Sequence, residues 1–432
     1  SSSCNSKYYT MNFIEELKWR NMLMDYTPGI EEIFDDGPIV GYIGFDPTAP
    51  SLTIGNMVQV MLLSHFQRTG NKPIVLMGGA TGMIGDPSFK DAERTLKTIE
   101  EIQVNIDRQM KQFRKLLDFD GPNAAVFVNN YDFYKDMNVL TFLRDVGKTL
   151  TVNYMASKES VKKRMETGIS YTEFSYQLLQ GYDYQVLYDR YNCRVQMGGS
   201  DQWGNITAGT EFIRRNVGGK AYAATTPLLT KSDGTKFGKS ESGNIWLDPG
   251  MTNAYQFYQF WINCSDEDMP KLLRYFSLKN KKEIEELDLM LVDNPNEVKR
   301  ILAEEITTRV HSAEDLDAVK KVSSLLFGKG FDEQAVKSMG TNTIELLKGE
   351  LEVRSGSADQ WSQGASVIDL LTELNIFTSK GEAKRAIQGQ AVQINRVRIT
   401  DPAAISEPEQ IFGNGYVFVE NGKKQKVLIE LA

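Results

Sequence analysis

Between residues 39 and 231, short apolar runs alternate with longer segments of helical period, and this alternation constrains the chain more than any other feature. The runs IVGYIGF, KPIVLMGG, AAVFV, CRVQMGG and TPLLT predict strands, and the stretches 55–68, 98–117, 139–155 and 173–188 predict helices. Strand followed by helix, repeated, predicts an α/β fold with a largely parallel, doubly wound, Rossmann-like sheet. Ligands of such sheets lie beyond the carboxyl ends of the strands, so the turns that leave the strands are where chemistry is expected.

A chain of 432 residues exceeds what one core usually organises. From about 251 to 345 the pattern becomes helical and charged, which predicts a second, α-helical domain after a catalytic domain at 1–250. Residues 346–365 are small and polar enough to predict a linker, and 366–432 a compact α+β unit of two short helices and several strands. No apolar run approaches the roughly 20 residues a membrane-spanning helix needs, so no membrane association is expected. Cys4, Cys193 and Cys264 are far apart and outside metal-ligand spacing, which suggests a reducing compartment, and the tail before Met11 has no signal-peptide core. The expected location is the cytoplasm. His65 and His311 have no partner at ligand spacing and are expected to be structural. A net charge of −8 argues against a protein that simply coats nucleic acid, though it permits local basic patches.

The turns themselves are informative. YIGFDPTAPSLTIGN runs from a strand into an amphipathic helix, and Gly55 at that helix start admits a flat ring or a phosphate close to the backbone. MGGATGMIGDPS places four glycines in eight residues and then Asp86, a carboxylate suited to an ammonium group or, more plainly, to a cap. Lys90 and Arg94, four apart, would reach one phosphate jointly if their segment is helical. Tyr176, Gln180 and Asp183 recur at spacings of four and three, on one helix face that is either solvated surface or a lined pocket. QMGGSDQWGN repeats the pattern of strand, glycines, acid and amide, and Lys236 and Lys239 sit in a Gly- and Ser-rich loop.

The strings GFDPTAPSLTIGN, GGATGMIGDPS, NVLTFLRDVGK, ISYTEFSYQLLQGYDY, QMGGSDQWGNITAG and LTKSDGTKFGKSESG, in this order, resemble the bacterial-type tyrosyl-tRNA synthetases, class I aminoacyl-tRNA synthetases, from about Met11 to the C-terminus. The resemblance implies a ligase that joins L-tyrosine to AMP from ATP and passes it to tRNA(Tyr), with Mg²⁺ accompanying ATP and no protein-held metal. It implies that Tyr42 and Asp183 meet the substrate phenol, with Asp86, Tyr176, Gln180 and Gln202 around its amino group. Gly44, Asp46, Gly55, Gly199 and Asp201 would line the ATP site. Thr48, Thr53, Asn56, Lys90, Arg94, Lys236, Lys239 and Ser240 would face the triphosphate, Lys239 serving ATP binding as well.

Two departures stand out: Thr53 occupies the first position of the HIGH-like TIGN, where the family usually has histidine, and Asn56 the last. A threonine hydroxyl can donate to a phosphate but carries no charge, so the lysine loop is expected to supply most of the charge. The resemblance also implies a homodimer formed through an insertion at about 125–190, and a helical domain that approaches the anticodon stem. In TSKGEAKRAIQGQAVQINRVRI it implies a tRNA-binding patch of Lys380, Lys384, Arg385, Arg396 and Arg398. Two rival readings are a tryptophan-specific class I synthetase and a catalytically impaired RNA-binding relative. An indole offers only a donor where Tyr42 and Asp183 expect a hydroxyl.

Overall fold

A computed structural model describes residues 11–432; the tail before Met11 and Cys4 lie outside the described residues. The first compact unit, which among the described residues is 11–252 with 259–310, is built on a five-stranded parallel sheet. Its strands are β1 (Val40–Phe45), β2 (Lys72–Met77), β3 (Val126–Asn129), β4 (Cys193–Gly199) and β5 (Tyr222–Thr226), ordered β3-β2-β1-β4-β5. The order reverses between β1 and β4, which creates a crevice at their carboxyl ends. Helices cover both faces of such a sheet, so its strands are apolar almost throughout and the cores of β2 and β4 are buried.

Four of the five strands fall where the apolar runs place them. The fifth is displaced: β5 ends at Thr226 and TPLLT is loop. Pro227 has no N–H to continue the ladder, so the strand uses the preceding YAATT instead. Of the helices, Ile54–Arg68, Ile99–Leu116 and Tyr176–Tyr191 match expectation. The continuous helix expected over 139–155 is broken into Val139–Thr141, a wide turn at Phe142–Val146 and Val152–Ala156. Gly147 N–H bonds back to Phe142 O, closing a wide turn, and Thr151 accepts from Tyr154 N–H to start a new helix.

The expected helical domain at 251–345 is divided. Its helices Met269–Phe276, Lys281–Asp293 and Pro295–Val310 belong to the first unit, where Arg20 donates to the carbonyls of Arg274, Ser277 and Lys279. His65, buried as expected of a structural histidine, lies 3.3 Å from Tyr275 O. The second unit is 253–258 with 311–432. In it the expected linker is not a linker: Glu352–Gly356 forms β8, and Trp361 is 1% exposed within the C-terminal core. Small polar residues disguised a strand that pairs in parallel with β12 (Gln425–Leu431). With β9 (Val392–Ile394), β10 (Val397–Arg398) and β11 (Tyr416–Asn421) these complete a sheet ordered β10-β9-β11-β12-β8; β6 and β7 belong to the first unit and are described below. Among the described residues no helix is long and apolar enough to cross a membrane.

Candidate active site

The crevice between β1 and β4 opens into a cavity of about 510 Å³ that gathers residues from every turn singled out above, with only Asn244 coming from the hairpin of the lysine loop. The turn after β1 is held open by the helix Ile99–Leu116, whose Asn105 and Gln109 donate to the carbonyls of Pro47 and Ala49 while Gln112 accepts from Leu52 N–H. These three amides lie four and three residues apart on one helix face, a spacing that turns a helix side into a scaffold for a loop without structure of its own.

In the cavity wall, Tyr42 on β1 and Asp183 on Tyr176–Tyr191 are each 1% exposed. The Asp183 carboxylate accepts from Asn130 Nδ2 at 2.9 Å and from the Tyr134 hydroxyl at 2.7 Å. Burial pushes its carboxyl up to about 7, with those two hydrogen bonds pulling the other way. The Tyr42 hydroxyl is buried and has no hydrogen-bond partner; burial, and then the Asp183 charge, hold its phenol well above the usual range. A buried hydroxyl left unpaired is costly unless a ligand completes it. Gln180 Oε1 is likewise buried without a partner in the cavity wall.

Elsewhere in the lining, acids and amides are already joined. Asp46 accepts from Thr81 Oγ1 and Tyr176 OH, both at 2.6 Å, so its oxygens serve the cleft floor. Asp86 accepts from Gln202 Nε2 at 2.8 Å and Asn205 Nδ2 at 3.3 Å, and also from Ser88 N–H within a turn; no helix follows it, so it is not a helix cap. Gly78 lies so close to Asp46 that a Cβ there would stand 2.2 Å from Oδ1, which explains why the turn after β2 needs glycine at that position. Gly44, Thr48, Thr53, Gly55, Asn56, Gly199 and Asp201 also line the cavity. Burial raises the Asp201 carboxyl, and the neighbouring Asp86 charge adds to it.

Thr53 and Asn56 do something the sequence reading did not foresee. Thr53 is the N-cap of Ile54–Arg68: its Oγ1 accepts from Asn56 N–H at 3.2 Å, while Asn56 Oδ1 accepts from Thr53 N–H at 3.0 Å. The outer positions of TIGN thus form a reciprocal capping box, a role open to Thr and Asn.

The lysine loop folds as a short hairpin, β6 (Lys239–Ser240) against β7 (Gly243–Asn244), with Lys236, Lys239 and Ser240 exposed and outside the cavity lining. Lys236 and Lys239 form no ion pair among the described residues. The loop is nonetheless anchored: Phe237 packs against Phe260, Trp261 and Phe276 at 5.3 to 5.7 Å between ring centres. Gly238, at φ 96°, lies against the helix start, where an added Cβ would be 3.1 Å from Gly55 N. Ile54 N–H donates to Ile245 O, and Leu247 N–H to Leu52 O, so loop and TIGN turn are stitched through the backbone.

Lys90 and Arg94 do not act jointly from one helix face. Their segment has no regular structure; Arg94 lines the cavity and Lys90 is exposed outside it. Five residues of the site escaped the sequence reading. Asn130 and Tyr134 hold Asp183, and Gln59, Gln109 and Gln196 line the cavity with buried, unpartnered Oε1 atoms. Gln196 carried a signal, an amide in the middle of a buried strand, beside Tyr42 in the β1/β4 register. Gln59 and Gln109 sit on amphipathic helices and carried none.

In the second unit Lys380, Lys384, Arg385 and Arg398 are exposed, with Lys380 3.1 Å from Asp369. Arg396 does not join them. It occupies the two-residue turn between β9 and β10 at φ 67°, lies 2.6 Å from Glu420 and donates to the carbonyls of Leu325 and Phe331. A guanidinium committed to internal acceptors has few donors left for phosphate.

A parallel sheet whose strand order reverses at β1 and β4, a cleft at that point and a hairpin stitched to the helix that follows β1 fit a class I aminoacyl-tRNA synthetase catalytic fold, and residues 35–328 match the family model of "tRNA synthetases class I (W and Y)". Residues 350–429 match the "Tyrosine--tRNA ligase SYY-like C-terminal domain". The chain belongs to the tyrosine–tRNA ligase family. It is 50% identical over 423 residues to the tyrosine–tRNA ligase of Cytophaga hutchinsonii, covering 97% of this chain and 99% of that protein. The tyrosine–tRNA ligase of Porphyromonas gingivalis is 49% identical over 428 residues, with 97% and 99% covered. Among solved structures, a C-terminally truncated mitochondrial tyrosyl-tRNA synthetase of Aspergillus nidulans superposes with TM-score 0.66 at 28% identity, covering 73% of this chain and 94% of that one.

Proposed function

We propose that the protein catalyses the two-step ligation of L-tyrosine to tRNA(Tyr). The observation that carries this reading is the cavity wall that the buried, unpaired Tyr42 hydroxyl and the buried Asp183 carboxylate both line. A phenol lodged there would donate to Asp183 and accept from Tyr42, and phenylalanine would leave both unsatisfied. Discrimination of this kind reaches about 10⁵-fold without an editing site, and the measured case behind that figure is this same enzyme family. Asp86, Tyr176, Gln180 and Gln202 would surround the amino group.

ATP would lie along the turns of Gly44, Gly55 and Gly199. A carboxylate oxygen of tyrosine attacks the α-phosphorus as the bond to pyrophosphate breaks, giving tyrosyl-AMP; a hydroxyl of the terminal tRNA ribose then attacks the acyl carbon and releases AMP. The carboxylate is already a nucleophile, so the chain's task is to hold two anions in line and to neutralise charge on the departing pyrophosphate. Thr48, Arg94, Lys236, Lys239 and Ser240 are the groups for that charge, with Lys90 at its outer margin. Asn56 and Thr53 serve by fixing the helix start. The carboxylates of Asp46 and Asp86 are taken up by protein donors, which favours Mg²⁺ entering on the triphosphate with phosphate and water ligands.

The exposed Lys380, Lys384, Arg385 and Arg398 would meet tRNA phosphates, and helices within 251–345 the anticodon stem. Exposed apolar side chains at Val139, Leu140, Val152 and Tyr171, each 64–71% accessible, support a homodimer through the 125–190 insertion. A cytoplasmic location fits a partner that is tRNA. The test is ATP–pyrophosphate exchange with tyrosine, phenylalanine and tryptophan in turn. Exchange with tyrosine alone is expected; tryptophan-driven exchange, or RNA binding without any exchange, would refute the reading.

A further inference from the structure

Arg94 reaches the cavity from a stretch, 89–98, that has neither helix nor strand to fix it. Something else must set where its guanidinium lies. The neighbouring segment 158–173 supplies it. Glu173, 2% exposed, accepts the Arg94 backbone N–H on Oε1 at 3.2 Å. Its other oxygen stands 2.8 Å from the guanidinium of Arg164, itself 3% exposed. Arg164 is steadied in turn by Gly168 O at 3.1 Å and faces Glu93 at 4.0 Å. Further links run alongside: Ser170 N–H donates to Glu93 Oε1, Phe89 N–H to Ser160 O, and Lys163 pairs with Asp91.

A buried ion pair is a poor way to gain stability, since desolvating both charges offsets most of their attraction. It is a good way to hold one geometry, because neither partner can leave without stranding the other. Here one end of the pair is bonded to the backbone of a residue that lines the cavity, and Glu173 stands three residues before Tyr176, whose hydroxyl bonds Asp46 on the cleft floor. We propose that Glu173, fixed by Arg164, is a positioning residue that sets Arg94 against the pyrophosphate-leaving side of the cleft and registers it with the tyrosine pocket. The inference rests on the ligase reaction and on a part for Arg94 in it.

Tyrosine-driven ATP–pyrophosphate exchange on Arg94→Ala, Glu173→Ala, Glu173→Gln and the double alanine variant tests it, with equilibrium binding of tyrosine to each variant as the check on folding. Glu173→Ala is expected to lower kcat by about 10- to 100-fold, the scale of a reacting group displaced by an ångström, and to leave the tyrosine KM within about twofold. The double variant should be no slower than Arg94→Ala alone. Glu173→Gln keeps an acceptor for the Arg94 N–H but loses the pairing with Arg164, and should recover only part of the rate. Multiplying effects of the two alanine changes, an Arg94→Ala enzyme with full activity, or a rise in tyrosine KM that matches the fall in kcat would overturn the inference. No exchange in the unaltered protein takes the ligase reading down with it, whereas an active parent with multiplying variants removes the positioning role alone.

Discussion

The cleft and the lysine loop are built by opposite rules. In the pocket proposed for tyrosine, Tyr42 and Asp183 are buried, Asp183 is bonded to Asn130 and Tyr134, and the fold itself sets the geometry. Outside the cavity lining, Lys236 and Lys239 stand exposed on a loop anchored by Phe237 and Gly238 behind them and by backbone bonds to the TIGN turn. Recognition of a small neutral hydroxyl requires fixed, desolvated partners, because the penalty for an unpaired buried group is what rejects the wrong substrate. Stabilising a multiply charged leaving group requires cations that arrive when charge develops, and under the proposed function an anchored but exposed loop would meet that need.

The contrast predicts effects of different kinds. Lys236→Ala and Lys239→Ala should each lower kcat for pyrophosphate exchange by about 10²- to 10³-fold, as loss of a transition-state donor does. Neither should move the melting temperature, since both side chains are exposed; a clear loss of stability would show that the loop is structural. Asp183→Ala comes next, with kcat/KM for tyrosine falling about a hundredfold, the value of a hydrogen bond to a charged group, and little change in the KM for ATP. An equal effect on both substrates would blur the two regions into one site.

The third test uses pH. Burial raises the Asp183 carboxyl from near 3.8 to about 7, so the folded protein holds that proton more tightly than the unfolded chain does. Stability contributed by this group is therefore greatest below its unfolded value, declines as pH rises towards 7, and is constant above. Asp183→Asn removes the decline, and its melting temperature relative to the parent should rise by a few degrees between pH 5 and pH 8. A flat difference would mean that Asp183 does not titrate there. Smallest of all, Thr53→Ala should cost about 1 kcal/mol of stability through the lost cap and slow exchange by less than about tenfold. A larger loss of rate without loss of stability would return Thr53 to direct contact with phosphate.

Much of this was legible beforehand because it depended on local pattern. Strand runs ending in glycine turns located β1, β2 and β4, and the spacing of Tyr176, Gln180 and Asp183 put all three on the helix face that lines the cavity. What escaped depended on partners distant in sequence. Asn130 is part of the site because it lies 53 residues from Asp183 in the chain and 2.9 Å from it in space. Arg396 reads like its basic neighbours, yet Glu420 and two carbonyls claim it. Glu352–Gly356 reads as linker because its composition is weakly strand-like, and only β12 makes it a strand.

By itself, then, the amino-acid order determined the parallel α/β architecture and the glycine-rich turns that leave its strands, since periodicity and glycine placement act within a few residues; the residues proposed to meet tyrosine came from the family resemblance. The tertiary structure decided which acids are buried, which cations are spoken for and that Thr53 and Asn56 cap one another across the mouth of a ligand cleft. Desolvation and hydrogen-bond pairing are properties of the packed environment, and a side chain acquires them only when segments far apart in the chain close around it.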